Sequence, residues 1–249
     1  MDTKSTIQHG KSEVRLEDDA LVRGAGRFID DARYPNQAFA AFVRSPHAHA
    51  KVVSVDTAEA TKSKGVLAVL TGADMKAAGI NTAGRHPPLP GRGGKDLIQP
   101  FRPVLAIDRV RFVGEAVAMV VAETLGQAMD GADMVAVEYE ELPALVDPRE
   151  AIKSGAAQLH DDAPSNLAID WPGMVESADN ERAVDEIIKS APHVARVDVH
   201  HQRIAVMSME TRGANARYDA ATDSYDLRVC SQSAGTVRNQ TAPVIGVEP

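Results

Sequence analysis

The feature that most constrains this chain is a change of hydrophobic period that recurs between Ala38 and Tyr139. Apolar residues alternate with polar ones, or run on unbroken, over residues 38–44, 51–56, 66–70, 115–121 and 135–139, which is the pattern of strands. Between them the period lengthens to that of a helix, over residues 57–64, 72–78 and 125–134. Gly65 stops the first helix and Gly79 the second, and in the third Leu125, Ala128, Met129 and Ala132 share a face. A sheet face and a helix stripe must each be buried on another element, so their alternation predicts a mixed α/β domain of α+β class.

The rest of the chain is punctuated differently. Residues 81–103 are dense in Gly, Pro and Arg with no period, which predicts a long excursion inside this first domain. Over residues 142–173, Pro143, Pro148, Pro164 and Pro172 interrupt any regular element and leave room for one short helix at 148–154. A second part follows, with a helix at 180–189 carrying Ala183, Val184, Ile187 and Ile188 and closed by Pro192. Strands are expected at 194–201 and 225–230, a hairpin over 217–228 turning at 219–224, and a last helix over 235–245. The expected organisation is a domain over 1–142, a proline-rich connector over 143–173 and a second domain over 174–249.

Several classes of function are excluded by what is missing. The net charge of −8 is spread over mixed-sign segments, with no basic block interleaved with aromatics, so no nucleic-acid partner is expected. No apolar run approaches the roughly 18 residues of a membrane span. The first ten residues are polar and lack a secretory apolar core, so a cytoplasmic location is expected, without membrane partners. Cys230 is the one cysteine, whereas an iron–sulfur cluster takes about four thiolates. Any redox chemistry must therefore pass its electrons through another domain or chain.

Local motifs leave alternatives open. Gly24-Ala25-Gly26 contains a G-x-G step without a third glycine or a preceding strand, so a turn is the better reading than a phosphate loop. His47 and His49 would share one face of a strand, as two metal ligands or as a hydrogen-bonded pair, and His200-His201 is read the same way. Cys230 suits either a nucleophile at a strand end or a buried structural thiol. Asn239-Gln240-Thr241 matches a glycosylation sequon, which has no meaning in a cytoplasmic chain.

Longer stretches carry a resemblance. Arg15-Leu16-Glu17-Asp18, then Gly24-Ala25-Gly26-Arg27-Phe28-Ile29-Asp30-Asp31, then Phe42-Val43-Arg44-Ser45-Pro46-His47-Ala48-His49-Ala50 stand in order. Leu70-Thr71-Gly72-Ala73-Asp74, Arg111-Phe112-Val113-Gly114-Glu115-Ala116-Val117-Ala118, Val137-Glu138-Tyr139-Glu140-Glu141-Leu142-Pro143 and Val146-Asp147-Pro148 follow. Together they resemble the N-terminal portion of the large, molybdopterin-binding subunits of the xanthine dehydrogenase, aldehyde oxidase and carbon monoxide dehydrogenase family. The resemblance implies an α/β hammerhead domain, followed by an incomplete first part of the molybdenum-cofactor-binding domain. Met209-Glu210-Thr211-Arg212-Gly213 resembles that family's Met-Glu-Pro-Arg-Gly stretch, and Ser231-Gln232 its Thr/Ser-Gln step. By the same resemblance Gln232 is the cofactor-binding residue; its amide can donate a hydrogen bond to a metal oxo group without adding charge. Thr211 replaces the usual proline, and Ala234-Gly235 stands where many relatives have Pro-His.

The implied reaction is hydroxylation of a small molecule with water as the oxygen source. Purines, aldehydes, N-heteroaromatics and carbon monoxide are all admitted as substrates. The implied cofactor is molybdenum–molybdopterin, its cytosine dinucleotide form included, with iron–sulfur clusters and FAD on partner subunits. Members of the family continue for several hundred residues with the pterin loops and a general-base glutamate, which have no counterpart here. Hence no catalytic residue is assigned, no protein metal ligand is expected, and the chain should act only with the remainder of its subunit. The alternative is a non-catalytic hammerhead module retained for docking to iron–sulfur or flavin subunits.

Overall fold

The computed structural model describes residues 15–80, 87–173, 177–202 and 204–249. In chain order the elements are α1 (Asp18–Val22), β1 (Phe39–Arg44), β2 (Ala50–Asp56), α2 (Ala58–Lys62), β3 (Val66–Thr71), α3 (Gly72–Ala77), β4 (Arg109–Val110) and β5 (Ala116–Ala122). They continue with α4 (Leu125–Asp133), β6 (Ala136–Glu141), α5 (Pro148–Ala151), α6 (Ala178–Ser190), β7 (Ala214–Asp219), β8 (Ser224–Val229) and α7 (Ala234–Thr241). Two compact units result. One holds the described residues of 36–202 and 233–249, the other those of 1–35 and 203–232.

The larger unit is built on two three-stranded antiparallel sheets, ordered β1-β5-β3 and β4-β2-β6. β5 is central to the first and reads Ala-Val-Ala-Met-Val-Val-Ala, an unbroken apolar run suited to a strand covered on both faces. On one face its Val117 packs with Ala50, Ala106 and Val110, so this core lies between the two sheets. On the other, Ala118 and Val120 pack with Ala60 and Val135, beneath α2 and α4. Thr124 starts α4 by accepting the Gln127 amide at 3.2 Å, so the helix begins where the strand ends.

The connector is tied down rather than free. Arg109 pairs with Asp161 at 3.1 Å, Arg111 donates to the Leu159 carbonyl at 2.7 Å, and the Phe101 amide donates to Asp162 at 3.0 Å. Its one regular piece, α5, falls within the expected short helix. The expected excursion begins with residues 81–86, outside the described residues; its remainder packs on the connector, the Ile98 amide donating to the Ala168 carbonyl at 2.9 Å. Arg92 adds a clasp, pairing with Asp170 and Glu181 at 2.5 Å each.

The strand expected at residues 194–201 is a correction: no regular structure forms there. Val197 and Val199 are 81% and 73% exposed. Alternation makes a strand only when another strand accepts its backbone groups, and no described strand pairs with this stretch. The strand expected at 225–230 forms as β8, paired with β7 in a two-stranded antiparallel sheet of the smaller unit. Here Asp223 takes a positive φ of 50° in the turn. The last helix ends at Thr241 and continues as a 3-10 turn through Pro243.

Candidate functional site

The smaller unit brings together two motifs that lie far apart in sequence. After α1 the chain turns at Gly24, whose φ is +68°, with Ala25 N donating to the Ala20 carbonyl and Gly24 N to the Leu21 carbonyl. That is a helix-ending Schellman arrangement, so Gly24-Ala25-Gly26 is a helix stop, in agreement with the turn reading. A 3-10 turn over Ile29–Asp31 follows. It rests against the Glu210–Gly213 stretch. Thr211 Oγ1 donates to Asp30 Oδ2 at 3.1 Å across 181 residues, and Ile29 N donates to Glu210 Oε1 at 3.4 Å. Asn215, in β7, donates from Nδ2 to the Ile29 carbonyl at 3.1 Å. Gly213 permits this approach: a Cβ there would lie 2.9 Å from Ile29 Cγ2 and 3.2 Å from Asp30 Oδ1. On β8, the Arg228 guanidinium lies over the Tyr34 ring, 5.4 Å from its centroid.

β8 leads to Cys230 and on to Gln232. The Cys230 thiol is half-buried, donating to the Thr211 carbonyl at 3.6 Å and lying 3.9 Å from the Gly213 carbonyl. The thiol is thus half-buried where the structural reading expected it buried. Gln232 is exposed, and Ser233 after it caps α7 by accepting the Thr236 amide. The Thr211–Gly213 part of the first motif therefore meets Cys230, the residue just before Ser231-Gln232, at one end of the β7–β8 hairpin. Ile29 and Asp30 entered the sequence reading only within the Gly24–Asp31 stretch of the resemblance, with no site role, and Asn215 did not enter it. No local signal could assign them one, because the contact spans about three quarters of the chain.

The histidines read as ligand pairs are elsewhere and do something else. His47 and His49 lie in the loop between β1 and β2, not on a strand. His49 is 4% exposed, with Nδ1 at 2.8 Å from the Pro143 carbonyl. His47 packs against Tyr139 with the rings tilted and their centroids 4.8 Å apart, its Nδ1 3.5 Å from Glu141 Oε1. His200 and His201 are exposed. Among the described residues no three His, Cys, Asp or Glu side chains converge as a metal site. Gln232 presents an exposed, neutral carboxamide, a donor whose chemistry fits a cofactor that carries its own metal. No helix of the described residues is long and apolar enough to cross a membrane.

Comparison with known proteins gives matches along most of the chain. The family model described as "Aldehyde oxidase and xanthine dehydrogenase, a/b hammerhead domain" matches residues 23–143, and that of the molybdopterin cofactor-binding domain matches residues 159–249. The large subunit of nicotine 6-hydroxylase from Paenarthrobacter nicotinovorans is 37% identical over 90% of this chain and 26% of its own length. The carbon monoxide dehydrogenase large chain of Afipia carboxidovorans is 39% identical over 64% of this chain and 18% of its own. Quinoline 2-oxidoreductase from Pseudomonas putida 86 superposes over 95% of this chain and 28% of its own, with TM-score 0.77 and 33% identity. The chain thus spans about a quarter of the length of the first of these relatives.

Proposed function

Because the chain belongs to the aldehyde oxidase and xanthine dehydrogenase family, we propose that it supplies the hammerhead part and the first cofactor-facing part of a molybdenum-binding catalytic subunit. The division at residues 1–142, 143–173 and 174–249 belongs to the same proposal. The assembled enzyme oxidises a small molecule in the cytoplasm with water as the oxygen source. Iron–sulfur clusters and FAD lie on partner subunits, and the remainder of the molybdenum subunit completes the cofactor site. One cysteine in the chain is consistent with clusters held elsewhere.

The observation that carries this reading is Gln232, exposed at the end of the hairpin within the segment that matches the cofactor-binding model. When bound, the molybdenum cofactor supplies the two-electron acceptor. Gln232 would hold it by donating an amide hydrogen bond, orienting the group without altering its charge. The β7–β8 hairpin would fix the backbone from which this side chain extends. The match of residues 159–249 to a cofactor-binding domain weighs against a module kept only for docking.

The test is Gln232→Ala in the assembled enzyme. Turnover should fall by about tenfold, the loss expected of an outer-shell partner, while thermal unfolding stays within about 0.5 kcal/mol of wild type. Wild-type turnover at both limiting and saturating substrate would sink the assignment.

A further inference from the structure

We propose that Asp30 is a positioning residue for Gln232, acting through Thr211. The inference rests on the assignment of Gln232 made above. Three contacts hold the Ile29–Asp30 segment to β7 and the residues just before it: the Thr211 hydroxyl on Asp30, the Ile29 amide on Glu210, and the Asn215 amide, in β7, on the Ile29 carbonyl. A fourth joins the same arm to β8, through Tyr34 and Arg228. The arm therefore touches both strands of a hairpin that has no third strand among the described residues. A two-stranded ribbon is marginal by itself and twists easily, so an arm across both strands limits where its end can point.

Of these contacts, Asp30 to Thr211 acts nearest the cofactor-facing residue. The carbonyl of Thr211 accepts the Cys230 thiol, and Gln232 is two residues beyond Cys230. A thiol is a weak donor, so this contact holds the strand end only while the Thr211 carbonyl keeps its direction. The Asp30 carboxylate, by holding the Thr211 side chain, restrains that residue. Gly213 leaves room for the Ile29 and Asp30 side chains beside this contact. Asp30 thus orients the Gln232 backbone from 202 residues away in sequence without needing to touch the cofactor.

The assembled enzyme carrying Asp30→Ala, Asp30→Asn, Gln232→Ala and the Asp30→Ala/Gln232→Ala pair tests this, read by kcat, molybdenum content and the electron paramagnetic resonance spectrum of the molybdenum centre. Asp30→Ala should lower kcat by about tenfold at unchanged metal content and displace the spectrum in the same sense as Gln232→Ala. Asp30→Asn keeps an acceptor for Thr211 and should recover most of the rate. The double variant should match Gln232→Ala alone, because residues acting through one another are not additive. Should Asp30→Ala fail to fold, Thr211→Val removes the hydroxyl at constant shape and is read the same way. Losses that multiply, or an unchanged spectrum with Asp30→Ala, overturn the positioning role and leave Gln232 standing. Wild-type rate and spectrum in Gln232→Ala overturn both.

Discussion

Thr71 and Asp74 close the start of α3 on each other: the Asp74 amide donates to Thr71 Oγ1 at 3.4 Å, and Asp74 Oδ2 accepts from the Thr71 hydroxyl and amide, each at 2.7 Å. The Thr71 hydroxyl first, and its amide second, hold the Asp74 carboxyl below the usual carboxylate range. A carboxyl that ionises more readily in the folded chain stabilises it above the ordinary pKa, and that contribution is lost as pH falls through the lowered one. Thr71→Ala should therefore cost about 1 kcal/mol at neutral pH, the usual loss of a cap. In urea titrations the difference from wild type should shrink as pH falls below about 4; a gap that does not shrink at all would place the loss in the non-titrating hydrogen bond from the Asp74 amide to Thr71 Oγ1 rather than in the carboxylate. The Thr-x-x-Asp spacing is visible in the sequence because both partners lie within one helical turn. The orphaned Nε2 of buried His49 was not visible, since burial is decided by segments far along the chain.

Helix α4 shows how one element can answer the same substitution in opposite ways. A Cβ at Gly126 meets nothing within 4 Å, whereas one at Gly131 falls 2.9 Å from Val120 Cγ1 and 3.1 Å from Val66 Cγ2, two stiff side chains of the core. Gly126→Ala should stabilise by about 0.5–1 kcal/mol through lower chain entropy, and Gly131→Ala should destabilise by about 1–3 kcal/mol through overpacking. Denaturant midpoints that move in the same direction for both would refute the packing of α4 on β3 and β5. The connector should respond to acid. His160 Nδ1 is buried without a partner, and burial first, then Arg111, hold its pKa below the ordinary value, with Arg102 and Arg109 adding and Asp162 opposing. The fold thus favours neutral His160, so its contribution is present above about pH 6.5 and is lost as pH falls through and below that value. Hydrogen exchange over residues 158–166, corrected for intrinsic rates, should accelerate between pH 7.5 and 5.5, and His160→Gln should abolish the change. The prolines announced a segment without regular structure, but its docking through Arg109 and Arg111 carried no local signal.

For the whole molecule, the cysteine count is the firmest constraint. A cluster needs about four thiolates, so the purified chain, reconstituted with iron and sulfide, should show no stoichiometric absorption above the protein band. A visible chromophore at one per chain would contradict it. The strand and helix periods and the glycine stops were determined by the sequence alone, because each depends on residues within a turn or two of one another, and the shortage of thiolates because it is a matter of count. Tertiary structure decided which strands pair. β1 and β2 are neighbours in the chain but lie in different sheets, and residues 194–201 have a strand's pattern with no described partner. It also decided that Asp30 meets Thr211 and that Thr211 meets Cys230, beside Ser231-Gln232. Pairing sums backbone hydrogen bonds and buried area over residues distant in sequence, and loop closure costs only about 0.6 kcal/mol more for each doubling of length. Many partners are therefore accessible to any one strand, and the choice among them is made by the packing of the complete core, which no local pattern records.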